Sequence, residues 1–169
     1  MLITVAGEII HVNTGEVKTG NKSMLLHSNA IGSCVVVVLF DPLHHVGGLA
    51  HVMLPGTAPL KTIENHTRYA FNAIEDLLYQ LHERKSNSKQ LVACLVGGGN
   101  VLQRKDDTIC KENLESVEHI LHEKGIHIHA RATGGIVRRT VLLDIGRETV
   151  YFTEGDSNQI PIFLRPNTC

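Results

Sequence analysis

Apolar and polar positions along this chain follow two periods. CVVVVLF (34–40) and QLVACLV (90–96) run apolar without interruption and are rich in β-branched residues, the pattern of strands buried on both faces. DPLHH follows the first run and reads as a turn, because Asp-Pro opens turns and Pro42 has no N–H to donate to a ladder. VGGLAHVML (46–54) resumes the strand pattern, so the two runs predict a hairpin around a histidine-bearing loop. ITVAGEIIHV and SMLLHS read as shorter strands, and NTGEVKTGNKS between them is polar and predicts no element. IHIHARA alternates like a strand, Thr133-Gly134-Gly135 interrupts it, and RRTVLLDIGRETVYF predicts two strands joined near Gly146.

Helical spacing occurs twice. In residues 62–85, Tyr69, Ala73, Leu77 and Leu81, with Ile74 and Leu78, fall on one face and predict the longest helix. A second helix is expected over Lys111–Lys124, with Leu114, Val117, Ile120 and Leu121 as its stripe and Gly125 at the C-terminal cap. Pro55 and GTAPLKT are loop. No repeat or linker is visible, so the expectation is a single α+β domain with more strand than helix. Its core would span about residues 5–155, with a C-terminal tail at 156–169.

Composition narrows the function classes. The chain has 169 residues, 16 basic against 17 acidic side chains and 4% aromatics, which gives neither a basic footprint nor stacking platforms for nucleic acid. No signal peptide is read at the N-terminus and no apolar run reaches membrane-spanning length, so the expectation is a cytoplasmic protein without membrane insertion. Cys34, Cys94, Cys110 and Cys169 are scattered, with no C-x-x-C pair, which fits a reducing compartment.

The candidate chemistry centres on Cys34. Free cysteine is commonly a core residue, so Cys34 reads either as the first buried residue of its strand or as a thiol placed to react. A reactive thiol needs a base, and histidine is the usual one. In the predicted hairpin His51 lies at the same open end as Cys34, while His44 and His45 lie at the looped end. Gly32 and Ser33 allow a substrate carbonyl to approach backbone N–H groups that form an oxyanion hole. A hydroxyl, Ser28 above all, is the candidate to orient the imidazole.

The whole stretch SNAIGSCVVVVLFDPLHHVGGLAHVMLP resembles the signature of the CheD family, the chemoreceptor glutamine deamidases of bacterial and archaeal chemotaxis. The similarity continues in GGGN after QLVACLV, in Asn113 of KENLESV, and in TGG followed by Arg139-Thr140-Val141, covering about residues 5–155. The resemblance implies a layered α/β/β sandwich, helices packed on mixed or antiparallel sheets, related distantly to deamidating cytotoxic necrotizing toxins. It implies a cysteine-dependent protein-glutamine glutaminase that converts receptor glutamines to glutamate with release of ammonia, with Cys34 as nucleophile, His51 as general base and acid, and Ser28 where the family has a threonine. No metal or organic cofactor is required. The implied partners are chemoreceptor cytoplasmic helices as substrate and a CheC-type phosphatase.

Four positions depart from the family pattern: Ala30 replaces a glycine, Cys94 a lysine, Phe71 an acidic residue and Arg138 a small one. They bear on substrate preference and partner binding more than on nucleophile or base. The expected substrate-binding positions are Gly32, Ser33, Gly98, Gly99, Asn100, Thr133, Gly134 and Gly135. GGGN lacks the lysine and spacing of a phosphate loop and reads as a close backbone approach. His44, His45, His127 and His129 read as solvated residues rather than metal ligands, and Arg138-Arg139 as a solvated edge or a site for acidic helices. The competing function is a binding module that docks on receptors or the phosphatase without catalysing.

Overall fold

The computed structural model describes residues 7–165. In chain order these form β1 (Glu8–His11), β2 (Val17–Asn21), β3 (Met24–Ile31), β4 (Val35–Asp41), β5 (Val46–Val52), α1 (Ala70–Glu83), β6 (Val92–Gly97), α2 (Ile109–Glu123), β7 (Ile128–Thr133), β8 (Arg139–Asp144), β9 (Thr149–Glu154) and β10 (Ile160–Leu164). The strands build two mixed sheets, ordered β1-β3-β8-β9-β10 and β2-β5-β4-β6-β7. Among the described strands the parallel pairs are β1 with β3 and β6 with β7.

The alternation of β4 explains the layering. Val35, Val37 and Leu39 pack with Ala73, Ile74, Leu77, Val117 and Leu121 of the helices. Val36, Val38 and Phe40 pack with Leu26, Val141, Leu143 and Val150 of the other sheet. A strand with a core on each side must be apolar at every position, which is why its sequence shows no period of two. The result is an α/β/β sandwich, the expected fold class.

The predicted hairpin forms with Val35 opposite Val52 and Val36 opposite His51. Its turn is held by Asp41, a buried carboxylate that accepts from the backbone N–H groups of Leu43, His44 and Asn87, from His44 Nδ1 and from Ser86 Oγ. Burial alone would raise the Asp41 pKa, but these bonds from Asn87, His44 and Ser86 outweigh it and hold the group below its ordinary value. α2 ends as predicted: Gly125 is left-handed at φ 69°, and its N–H and that of Ile126 close a Schellman cap on His122 and Leu121.

Three expectations need correction. The first helix begins at Ala70, not at residue 62, because Tyr69 is extended and bridged to Leu54, and residues 66–68 form a 3₁₀ turn. The polar stretch contains an edge strand, β2, whose Thr19 side chain and carbonyl accept from Arg84 at the end of α1. The segment expected as a tail holds β10, which pairs with β9 across an irregularity between Pro161 and Phe163. Cys169 lies outside the described residues, and no described helix is long and apolar enough to cross a membrane.

Candidate active site

Ser28 and His51 come from different sheets and meet between them. His51 is 1% exposed, on the face of β5 that looks toward the other sheet, and Ser28 of β3 is equally buried. Ser28 Oγ lies 2.6 Å from the Val12 carbonyl and 2.8 Å from His51 Nδ1. A carbonyl can only accept, so the single hydroxyl proton goes to Val12 and the hydroxyl lone pair faces the ring. Nδ1 therefore carries the ring proton and donates to Ser28, which leaves Nε2 with a free lone pair.

His51 Nε2 is buried and has no hydrogen-bond partner among the described residues. Burial depresses the imidazole pKa to about 4, against a weaker opposing effect of the Val12 carbonyl, so the ring is neutral at pH 7. Cys34 precedes β4 and is partly exposed. Burial also raises its thiol pKa, opposed by its own backbone N–H, so the resting side chain is a thiol. The pair is thus uncharged at rest.

The backbone around Cys34 is pinned on one side. Gly99 N–H donates to the Gly32 carbonyl at 2.9 Å and Gly98 N–H to the Cys34 carbonyl at 2.7 Å. Gly97 has φ 120°, and a Cβ there would stand 2.3 Å from the Cys34 carbonyl oxygen, so only glycine permits this approach. Behind it, Gly134 N–H donates to Gly97 and Asn100 N–H to Gly135. Arg139, which reads from sequence as part of a solvated edge, is instead buried; it donates to the Gly134 carbonyl and to Glu154 and fixes that turn.

A cleft of about 360 Å³ opens beside Cys34, lined by Gly32, Ser33, Cys34, Gly99 and Asn100 among the expected residues. Gly98, Thr133, Gly134 and Gly135 do not line it and support it from behind. Ala30, Val101, Leu102, Asp107 and Arg138 complete the wall. Ala30 and Arg138 are two of the positions that depart from the family pattern, whereas spacing does not mark Val101, Leu102 and Asp107, which lie in a loop with no pattern of its own. Ala30 stands at a register shift of β3 with φ 53°, the left-handed region a glycine takes without strain.

Asn113 is a further residue whose role spacing does not reveal. It is fully buried on α2, and its Nδ2 donates to the carbonyls of Ser33 and Met53 at 3.0 and 2.9 Å. The sequence marks it in two ways, as a position of the family resemblance and as an amide one turn before Val117 on the apolar stripe.

Comparison with known proteins adds the family context. The family model described as CheD chemotactic sensory transduction matches residues 53–154, a match that begins just after His51. The "Probable chemoreceptor glutamine deamidase CheD" of Chlorobium luteolum is 35% identical over 150 residues, covering 89% of this chain and 75% of that protein. The protein of the same name from Archaeoglobus fulgidus is 32% identical over 162 residues, 94% and 96% of the two chains. Among solved structures, the Bacillus licheniformis hypothetical protein YfiH aligns with a TM-score of 0.42 and 15% identity over 71% of this chain and 49% of that one. That likeness is too low to carry an argument.

Proposed function

The chain belongs to the CheD family, and on that premise we propose that it is a thiol-dependent protein-glutamine deamidase acting on the cytoplasmic helices of chemoreceptors. One observation carries the reading. Ser28 spends its proton on Val12, which fixes His51, a residue at the Cys34 end of the hairpin, in the tautomer that leaves Nε2 free.

The chemistry follows from those groups. A glutamine side chain enters the cleft, and its carboxamide carbon meets the sulfur. His51 Nε2 takes the thiol proton as the S–C bond forms, so charge separates only inside the closed site. Backbone N–H groups at Ser33 and Cys34 hold the developing oxyanion. The tetrahedral centre collapses, the C–N bond breaks, and His51 returns the proton to ammonia. Water then gives its proton to His51 and attacks the thioester; the C–S bond breaks and the thiol is re-formed. The net reaction is amide plus water to carboxylate plus ammonia, with no electron transfer.

The test is to incubate the protein with a receptor cytoplasmic fragment and follow its mass, which rises by about one dalton for each amide converted to acid. Cys34→Ala and His51→Ala should each abolish the gain. A gain that survives Cys34→Ala defeats the nucleophile assignment. Receptor or phosphatase binding by the wild type with no mass change supports the docking module instead.

A further inference from the structure

We propose that Asn113 is a positioning residue that locks the Ser33–Cys34 peptide, so that the Cys34 N–H faces the cleft as the oxyanion donor. The inference deepens the deamidase reading and rests on it for the natural substrate.

Three successive carbonyls around the nucleophile, those of Gly32, Ser33 and Cys34, are each held from outside the segment. The first and third are held by backbone N–H groups of Gly99 and Gly98, the second by the Asn113 side chain. A trans peptide carries its N–H opposite its C=O, and no described peptide is cis. With the Ser33 carbonyl drawn toward α2, the Cys34 N–H is turned the other way. There it meets its own sulfur, favouring the thiolate, and Ser33 and Cys34 both line the cleft. A flip of this one peptide would replace the donor with a carbonyl oxygen. Among the described residues, the Asn113 amide opposes that flip by a contact that mutation can remove.

The same amide also holds the Met53 carbonyl, two residues beyond His51, so it ties the nucleophile segment to the base strand. Its orientation is fixed, because exchanging O and N would set an acceptor against two carbonyls. Packing alone does not explain the residue. Oδ1 is buried without a partner among the described residues, and the position continues the apolar stripe of Val117, Ile120 and Leu121. Leucine would fill the space and remove the orphaned Oδ1, but it would take the donor from the Ser33 and Met53 carbonyls. What asparagine adds is the pair of donor bonds.

Two probes of Cys34 separate orientation from reactivity. p-Nitrophenyl acetate acylates the sulfur through a tetrahedral oxyanion, with the thiol proton passing to His51 and nitrophenolate leaving. Iodoacetamide alkylates it by displacement of iodide, with no oxyanion. Both are followed at the Cys34 peptide by mass in the full chain. Asn113→Ala is expected to slow acylation by about 10²-fold, the usual effect of one oxyanion donor, and to slow alkylation far less, with its pH profile moved upward as the sulfur loses the Cys34 N–H. Asn113→Ser, which keeps one donor, should fall between. Equal slowing of both reactions, or of neither, overturns the proposal.

If neither variant folds, the wild type still decides. Addition of a short aldehyde to Cys34 as a hemithioacetal should move the Cys34 amide proton downfield in a ¹⁵N–¹H spectrum, and an unmoved resonance overturns the assignment. Neither reagent needs receptor recognition. A wild type that is inert on receptors but passes these tests defeats the substrate reading and leaves the role of Asn113 standing.

Discussion

Holding His51 neutral has a cost that appears as pH-dependent stability. Its imidazole titrates near 4 in the fold against an ordinary 6.5. Above pH 6.5 folded and unfolded chains both carry a neutral ring, and the site contributes no pH dependence. As pH falls below 6.5 the unfolded chain binds a proton that the folded chain refuses, so stability declines. The decline levels off below about pH 4, where the folded ring protonates as well. Each pH unit within that window costs about 1.4 kcal/mol, so the loss from this one residue is about 2 kcal/mol between pH 7 and pH 5, approaching about 3 kcal/mol at lower pH. The assay is urea unfolding of the wild type and of His51→Asn at both pH values. Asparagine keeps an N–H for Ser28 and removes the titration. Other groups displaced from their ordinary titration range, His27, His129, Glu16 and Asp41 among them, are common to both proteins and cancel in the difference. The wild type should lose about 2 kcal/mol more than the variant. Parallel losses would show that the folded ring takes its proton at an ordinary pH, and the neutral-pair account of the site would fall with that result.

Ser28→Ala leaves the His51 Nδ1–H without its hydroxyl acceptor and frees the tautomer, so kcat for deamidation should drop by at least about tenfold, at a stability loss of about 1–3 kcal/mol. Full kcat in that variant would remove Ser28 from the site. Ala30→Gly relieves a left-handed alanine and should stabilise the fold by about 1 kcal/mol, visible as a rise in Tm of about 2–4 °C; a fall in Tm counts against the strain. Gly97→Ala forces a Cβ against the Cys34 carbonyl and should cost several kcal/mol, about 3 or more by comparison with other strained or overpacked sites. Calorimetry of Gly97→Ala checks this, and an unchanged Tm would mean that the nucleophile segment is free to move aside.

How legible each segment is in the sequence follows how it gains its stability. The β4–β5 hairpin is visible because two cores demand apolar residues at every position and the intervening Asp-Pro ends the run. It also places His51 with Cys34 and away from His44 and His45. β2 is not visible, because an edge strand held by Arg84 and Gln80 of α1 needs no apolar alternation of its own. β10 is hidden by Pro161, which an edge strand tolerates and a central one does not. The start of α1 is misleading because Tyr69 fits the helical spacing although its backbone is extended and bridged to Leu54. Cys34 and His51, the proposed nucleophile and base, stand out as residue types in a pattern. The Asn113 contacts and the tautomer of His51 do not, since both depend on backbone carbonyls brought together across the layers.

The Ser28–His51 hydrogen bond spans the seam between the two sheets, and this affects how inactivating mutations should be interpreted. A slide of one sheet over the other by a fraction of a hydrogen bond's length would misalign the imidazole while leaving every strand intact. Leu26, Val141 and Leu143, which set the spacing at that seam, will therefore score as essential in a genetic screen for chemotaxis although none of them lines the cleft. A map of sensitive positions on this protein will outline the alignment of its sheets at least as clearly as it outlines the cleft.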